Sequence, residues 1–352
     1  GGVPASNVSA VVLNVTMVAP RGDGFVTVFG CRDGAPPRAS ALNAPAGGGG
    51  AVANEVIAQL GDGGQVCIFS AVATDLVIDV TGWTPTTTDI VSLEPFRILE
   101  TRNAPGEGTG DDRFELRRRI RAGETLPLAV LNRGGVPASG VSAVIVNATM
   151  VEPAGGGVLT VVPCRSGAPP RASALNAPAG GRGAVANELV TKLGDGGLMC
   201  LFSSTDTDLV VDVTGWLPAD ADIVSIEPAR LLETRSTPGE RTIDGRFHLQ
   251  RRLGAGAVVQ LDVLGRGGVP TSGVSAVVVN ATMVAPSGNG FVTACPCRRG
   301  PPPHASSLNE PARNGFAVAN EVIVKLGAQD RVCLFTSGRI DLVVDVVGWI
   351  AD

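Results

Sequence analysis

The sequence predicts an all-β protein: a tandem array of three homologous β-sandwich domains, the first one incomplete at its N-terminus. Three observations predict it. A period of 133 residues runs through the 352-residue chain. Each period holds short runs of β-branched residues, the side chains that strands prefer. Turn signals separate those runs, in keeping with 47 glycines and 25 prolines.

The period comes first. GGVPASNVSAVVLNVTMVAP at 1–20 returns at 134–153 with 15 of 20 positions identical, and again at 267–286. Trp83, Trp216 and Trp349 keep the same 133-residue offset. Solenoid coils repeat every ~20–45 residues, so a unit this long has the size of a whole domain. The expected domains are 1–83, 89–216 and 222–350. Residues 1–83 match only the later part of a unit and lack its two opening strands. The chain opens in the middle of a repeat, at Gly1-Gly2-Val3-Pro4, which reads as a mature product or a fragment.

Within a unit, Ser9, Val11, Leu13, Val15 and Met17 alternate with Ala10, Val12, Asn14, Thr16 and Val18, the period-two pattern of a strand. Further strands are expected at 25–29, 52–60, 65–70 and 75–83, with opening strands at 95–101 and 125–131 of the complete units. Gly61-Asp62-Gly63-Gly64 reads as a hairpin turn. Its third copy, Gly327-Ala328-Gln329-Asp330, suggests a different turn type. No segment reads as a helix. The links Thr84–Thr88 and Leu217–Ala221 are short and contain Pro85 and Pro218. Such links have little slack. They imply a stiff, elongated array with Trp83, Trp216 and Trp349 at the domain junctions.

Seven cysteines place the chain in an oxidising compartment. Cys31/Cys67, Cys164/Cys200 and Cys297/Cys333 are each 36 apart, one pair per unit, which is a disulfide pattern. The competing reading is two buried free thiols per unit. Cys295, where the other units have Phe29 and Val162, is either an apolar filler or a thiol free to cross-link.

Formal net charge is −5, which makes nucleic acid a poor partner. Apolar runs break after about ten residues, short of the ~20 that span a bilayer, so no membrane span is expected. The two histidines, His248 and His304, do not recur between units, so no shared Ser-His-Asp or Cys-His mechanism is available. No P-loop, dinucleotide fingerprint or zinc motif occurs. The expectation is therefore no catalytic residue, no cofactor, no metal and no enzyme. Several polar residues do recur. They are Asn14/Asn147/Asn280, Asn43/Asn176/Asn309, Asn54-Glu55 with Asn187-Glu188 and Asn320-Glu321, Asp75 and Asp79 with their copies, and Glu100-Thr101-Arg102 with Glu233-Thr234-Arg235. They read either as a carboxylate-pair glycosidase or calcium site, or as a buried network with arginine paired to carboxylate. Asp75 and Asp79 would lie roughly 13 Å apart on one strand, too far to share an ion. Arg117 to Arg121 reads as a solvated surface strand or a patch for an anionic polymer.

GRGGVP at 265–270, VSAVVVNATMVAP, a GFVT strand, a cysteine, ASxLN, VANEVI, VCLF and DLVVDVVGW, preceded by PARLLETR at 228–235, together resemble a repeat of secreted proteins from high-GC Gram-positive bacteria. That family's usual form has LDTR where this chain has LETR. The resemblance covers essentially the whole chain. It implies an extracellular or cell-surface location and often fusion to hydrolases, and it brings no catalytic residues. The function expected is a structural repeat protein of a cell-surface layer or fibre, assembling end to end as a homo-polymer through its incomplete N-terminal unit. The alternative is a carbohydrate-binding or adhesion module with a polysaccharide partner, although the absence of tyrosine leaves few rings on which sugars could stack.

Overall fold

A computed structural model describes residues 2–37, 39–44, 50–86, 90–167, 172–177, 183–286, 290–303, 305–309 and 317–352. The first repeat supplies β1 (Val8–Val18), β2 (Phe25–Gly30), β3 (Leu42–Asn43), β4 (Ala51–Gln59), β5 (Val66–Ser70) and β6 (Asp75–Pro85). The second supplies β7 (Val91–Glu100), β8 (Thr125–Ala129), β9 (Val141–Val151), β10 (Gly157–Pro163), β11 (Leu175–Ala177), β12 (Ala184–Lys192), β13 (Leu198–Ser203) and β14 (Asp208–Pro218). The third supplies β15 (Ile223–Glu233), β16 (Val258–Asp262), β17 (Val274–Val284), β18 (Phe291–Pro296), β19 (Leu308–Asn309), β20 (Val318–Lys325), β21 (Arg331–Thr336) and β22 (Asp341–Ala351).

These strands form six small antiparallel sheets, two to a repeat. The second repeat builds β12-β9-β14-β7 and β11-β10-β13-β8, and the third builds β20-β17-β22-β15 and β19-β18-β21-β16. The first has only three strands in each, β4-β1-β6 and β3-β2-β5.

The expected tandem array of three separate β-sandwich domains does not form. The six sheets close instead into a six-bladed, propeller-like ring. The finding that overturns the array is that each repeat bonds to both others. Asn54 meets Asn147, Asn187 meets Asn280, and Asn320 returns to Asn14, each at 3.1 Å. The physical reason lies in β1 and its copies, which are apolar on both faces. Val11, Leu13, Val15 and Met17 pack toward the second sheet of their own repeat. Ala10 and Val12, on the other face, join a central cluster with Ile57, Ala143, Ile145, Val190 and Ile323 from all three repeats. A sheet that is apolar on both faces must be covered on both. An extended array would leave the second face in water. The second link takes part in the closure: Leu217 and Ala221 lie in the same central cluster, with Ile223 at the start of β15, so it is not the spacer of an elongated particle. Thr87 and Thr88, in the first link, lie outside the described residues.

The Gly61–Gly64 segment is not a hairpin. It joins β4 to β5, which belong to different sheets. It carries a single 3-10 turn in which Gly63 takes φ 67°, and the third copy keeps the same shape with Gln329 at φ 60°. The glycine that opens the turn is required by close approach. A Cβ on Gly61 would lie 2.1 Å from the Cys31 carbonyl oxygen, and one on Gly194 equally close to that of Cys164.

Each turn thus seats against a disulfide. The structure bonds Cys31 to Cys67, Cys164 to Cys200 and Cys297 to Cys333, with Cα atoms 4.8, 4.9 and 4.8 Å apart. Replacing Cys164 and Cys200 together by serine should cost about 3–4 kcal/mol through the loop it frees in the unfolded chain. Urea unfolding measures this as a lowered midpoint; an unchanged midpoint would contradict it. Trp216 and Trp349 are half-buried against the apolar layers of their own repeats, and Trp83 is exposed.

Candidate functional site: a sealed axis and one open edge

The recurring asparagines and glutamates of β4, β12 and β20 face one another around the ring axis. Asn54 Nδ2 donates to the Ala41 carbonyl at 2.7 Å as well as to Asn147, and its Oδ1 accepts the Glu188 backbone N–H at 3.0 Å. Asn187 does the same with Ala174 and Glu321, and Asn320 with Ser307 and Glu55. Asn14, Asn147 and Asn280 complete the set by donating to the carbonyls of Ser306, Ser40 and Ser173. Asn43, Asn176 and Asn309 make a local contact, each with the serine three residues before it.

The three glutamates stitch neighbouring strands in the same cyclic sense. Glu188 Oε1 accepts the Ile57 N–H at 2.7 Å, Glu321 Oε1 that of Val190 at 2.6 Å, and Glu55 Oε1 that of Ile323 at 2.7 Å. All three are buried. Burial pushes the Glu55 and Glu188 carboxyls up to about 8, against the backbone N–H and threonine hydroxyl that favour the charge. Glu321 is raised for the same first reason, with the charges of Glu55 and Glu188 adding to it. Burial here outweighs the hydrogen bonds because the charged form has no basic partner among the described residues. Among the described residues no group of three acidic, histidine or cysteine side chains is placed to hold a metal.

The Glu-Thr-Arg motifs are clamps on the last strand of each complete repeat. Arg97 Nε donates to Asp212 at 2.9 Å, and Arg102 folds back onto Glu100 at 2.7 Å. Thr101 Oγ1 donates to Asp208 at 2.9 Å while accepting the Leu209 N–H at 2.8 Å. The third repeat repeats this with Arg230 on Asp345, Arg235 on Glu233 and Thr234 on Asp341. The two aspartates of each strand therefore serve separate partners. In the arginine run, Arg118 pairs with Glu124 and Arg119 donates to the Glu152 carbonyl, so its charges are partly spent within the fold. His304 lies outside the described residues.

The first repeat differs. Its β6 and β5 are sheet edges where the other repeats continue into β7 and β8, or β15 and β16. On β14 the core-facing Leu209, Val211 and Val213 are 0% exposed, and Val210 is 3% exposed. Their counterparts on β6 are open: Leu76 38%, Ile78 42%, Val80 44% and Val77 49%. Phe69 on β5 and Trp83 at the end of β6 extend the row. Asp79, the counterpart of Asp212, has no ion pair among the described residues. Alignment of the repeats identified the missing strands and predicted that their absence would bare apolar residues and unpaired strand edges, as β6 and β5 do.

Cys295 is free and buried. It lies directly across from Cys333 in the β18–β21 register and packs with the Cys297–Cys333 bridge. Burial raises its thiol pKa against the nearby Arg298.

Among the described residues no helix is long and apolar enough to cross a membrane. No protein-family model matches the chain, and no curated protein matches it. Two solved structures are similar at a remote level. One is a triple jelly-roll protein of an archaeal virus turret assembly, 10% identical, covering 99% of this chain and 81% of that one, with a TM-score of 0.19. The other is the tandem CBM22-1–CBM22-2 domain of Paenibacillus barcinonensis Xyn10C, 11% identical, covering 73% of this chain and 98% of that one, also with a TM-score of 0.19. Neither likeness reaches the level at which a fold or a function is taken from it.

Proposed function

We propose that this chain is an extracellular, non-catalytic structural protein, built into a larger assembly through the open face of its first repeat. The observation that carries the reading is the bare row Leu76, Val77, Ile78 and Val80 beside two unpaired strand edges. Exposed apolar edges of this kind template pairing with another strand. The three disulfides support an oxidising, extracellular setting. The recurring asparagines and glutamates of the ring axis are occupied by one another and by backbone, which supports a structural role for them. In its native host the protein should be recovered in cell-surface assemblies much larger than the 35.7 kDa chain. Val77→Lys with Ile78→Glu should release it into the medium as single chains. Native protein found only as free single chains would refute the reading.

A further inference from the structure

We infer that the open face of the first repeat is a binding site for one extended polypeptide segment of the repeat-opening kind, E-P-x-R-[I/L]-L-E-T-R followed by a TLPL-like strand, supplied from outside residues 1–352. The inference rests on the reading of this face as an assembly surface, and it names the occupant.

Three complementarities identify that occupant. The first is apolar. In the complete repeats, β7 with β8, and β15 with β16, cover the face whose counterparts here are Leu76, Ile78 and Val80. The second is the clamp. Arg97 and Arg230 pair with Asp212 and Asp345, and Thr101 and Thr234 with Asp208 and Asp341. Their counterparts Asp79 and Asp75 carry no such partner among the described residues, so an incoming arginine and threonine four residues apart would meet both. The third comes from the opposite wall. Glu94 of β7 pairs with Arg32 of the first repeat, and Glu227 of β15 with Arg165 of the second. The third copy of that arginine is Arg298. It has no acidic partner among the described residues and donates only to a neighbouring carbonyl. Ring closure sets the third repeat beside the first, so the glutamate of an incoming E-P-x-R segment would meet Arg298 as its arginine meets Asp79.

Copies of residues 1–352 do not supply the segment. Those residues hold three places for an opening segment and two segments, both already seated, with Leu99 and Leu232 fully buried. Exchange between copies moves the vacancy without filling it.

The test uses the intact chain and a synthetic peptide of the sequence 222–266. Saturable one-to-one binding is expected, with slowed amide exchange across residues 75–85. Arg230→Glu in the peptide, or Asp79→Lys in the chain, should each weaken binding at least tenfold, and the two together should restore most of it. Joining the same sequence ahead of Gly1 should abolish peptide binding and protect 75–85 in the absence of peptide. The inference is overturned if neither the peptide nor the joined segment protects 75–85. It is also overturned if the charge swap fails to restore binding, or if two chains pair through β6 in place of the peptide. Peptide binding by a protein that its host releases as free single chains would leave the site standing and remove the assembly reading.

Discussion

Asn187→Ala should destabilise the protein by about 3–6 kcal/mol. Removal of Asn187 leaves the Ala174 carbonyl, Asn280 Oδ1 and the Glu321 N–H without the partner each has now. The site is buried, and a stranded buried polar group costs about 1–3 kcal/mol. The penalty is large because one side chain joins two repeats at once. Urea unfolding gives the number directly, and a loss below about 1 kcal/mol would show that the staple is dispensable. Asn54→Ala and Asn320→Ala should behave alike, since the ring repeats the same bonds.

The second large effect is on the pH dependence of stability. Glu55 and Glu188 hold their protons to about pH 8 in the folded ring, against 4.5 for an ordinary glutamate. Between those values the folded chain binds protons that the unfolded chain has released. Stability from these groups is therefore complete below about pH 4.5, falls as pH rises to about 8, and changes little beyond. A shift of this size corresponds to something on the order of 3–5 kcal/mol per carboxyl. Asp244, held at about 2 by its hydrogen bond with Arg266, acts with the opposite sign and only below about pH 4. Asp212 and Asp345, also raised by burial, act with the same sign as the glutamates, so the glutamate share is read from a variant that removes only the glutamates. Thermal unfolding across pH 5–9 should show a falling melting temperature. The triple variant Glu55→Gln, Glu188→Gln, Glu321→Gln should make the fall much shallower, because an amide oxygen can still accept the Ile323, Ile57 and Val190 N–H groups without titrating. A flat profile in the unaltered protein would contradict this.

Both effects arise at residues whose recurrence and reading as a buried network were legible in the sequence, and whose partners were not. Asn54 and Asn147 are 93 residues apart, and Asn54 and Glu188 are 134 apart. No local pattern connects positions at such separations. A recurring asparagine within an apolar strand announces a buried polar group, but its partner comes into being only when the ring closes. The hairpin expectation at Gly61–Gly64 failed for a related reason. The left-handed turn residue and the tight glycine are the same whether the chain re-enters its own sheet or crosses to the facing one.

What the sequence determined by itself was everything written in short range or in exact repetition: strands from β-branched alternation, the 133-residue unit, the spacing of the cysteines, and the lack within residues 1–83 of counterparts to the opening strands. What only the tertiary structure decided was the covering of the second apolar face. Alternation in one dimension shows that Ala10 and Val12 point away from Val11 and Leu13, but it does not say what lies beyond them. Water there would expose apolar area at a cost of roughly 25 cal/mol per Å². The other two repeats, carrying the same face, remove that cost together by closing on a common axis, and the closure leaves the edge of β6 as the one large apolar face still open among the described residues.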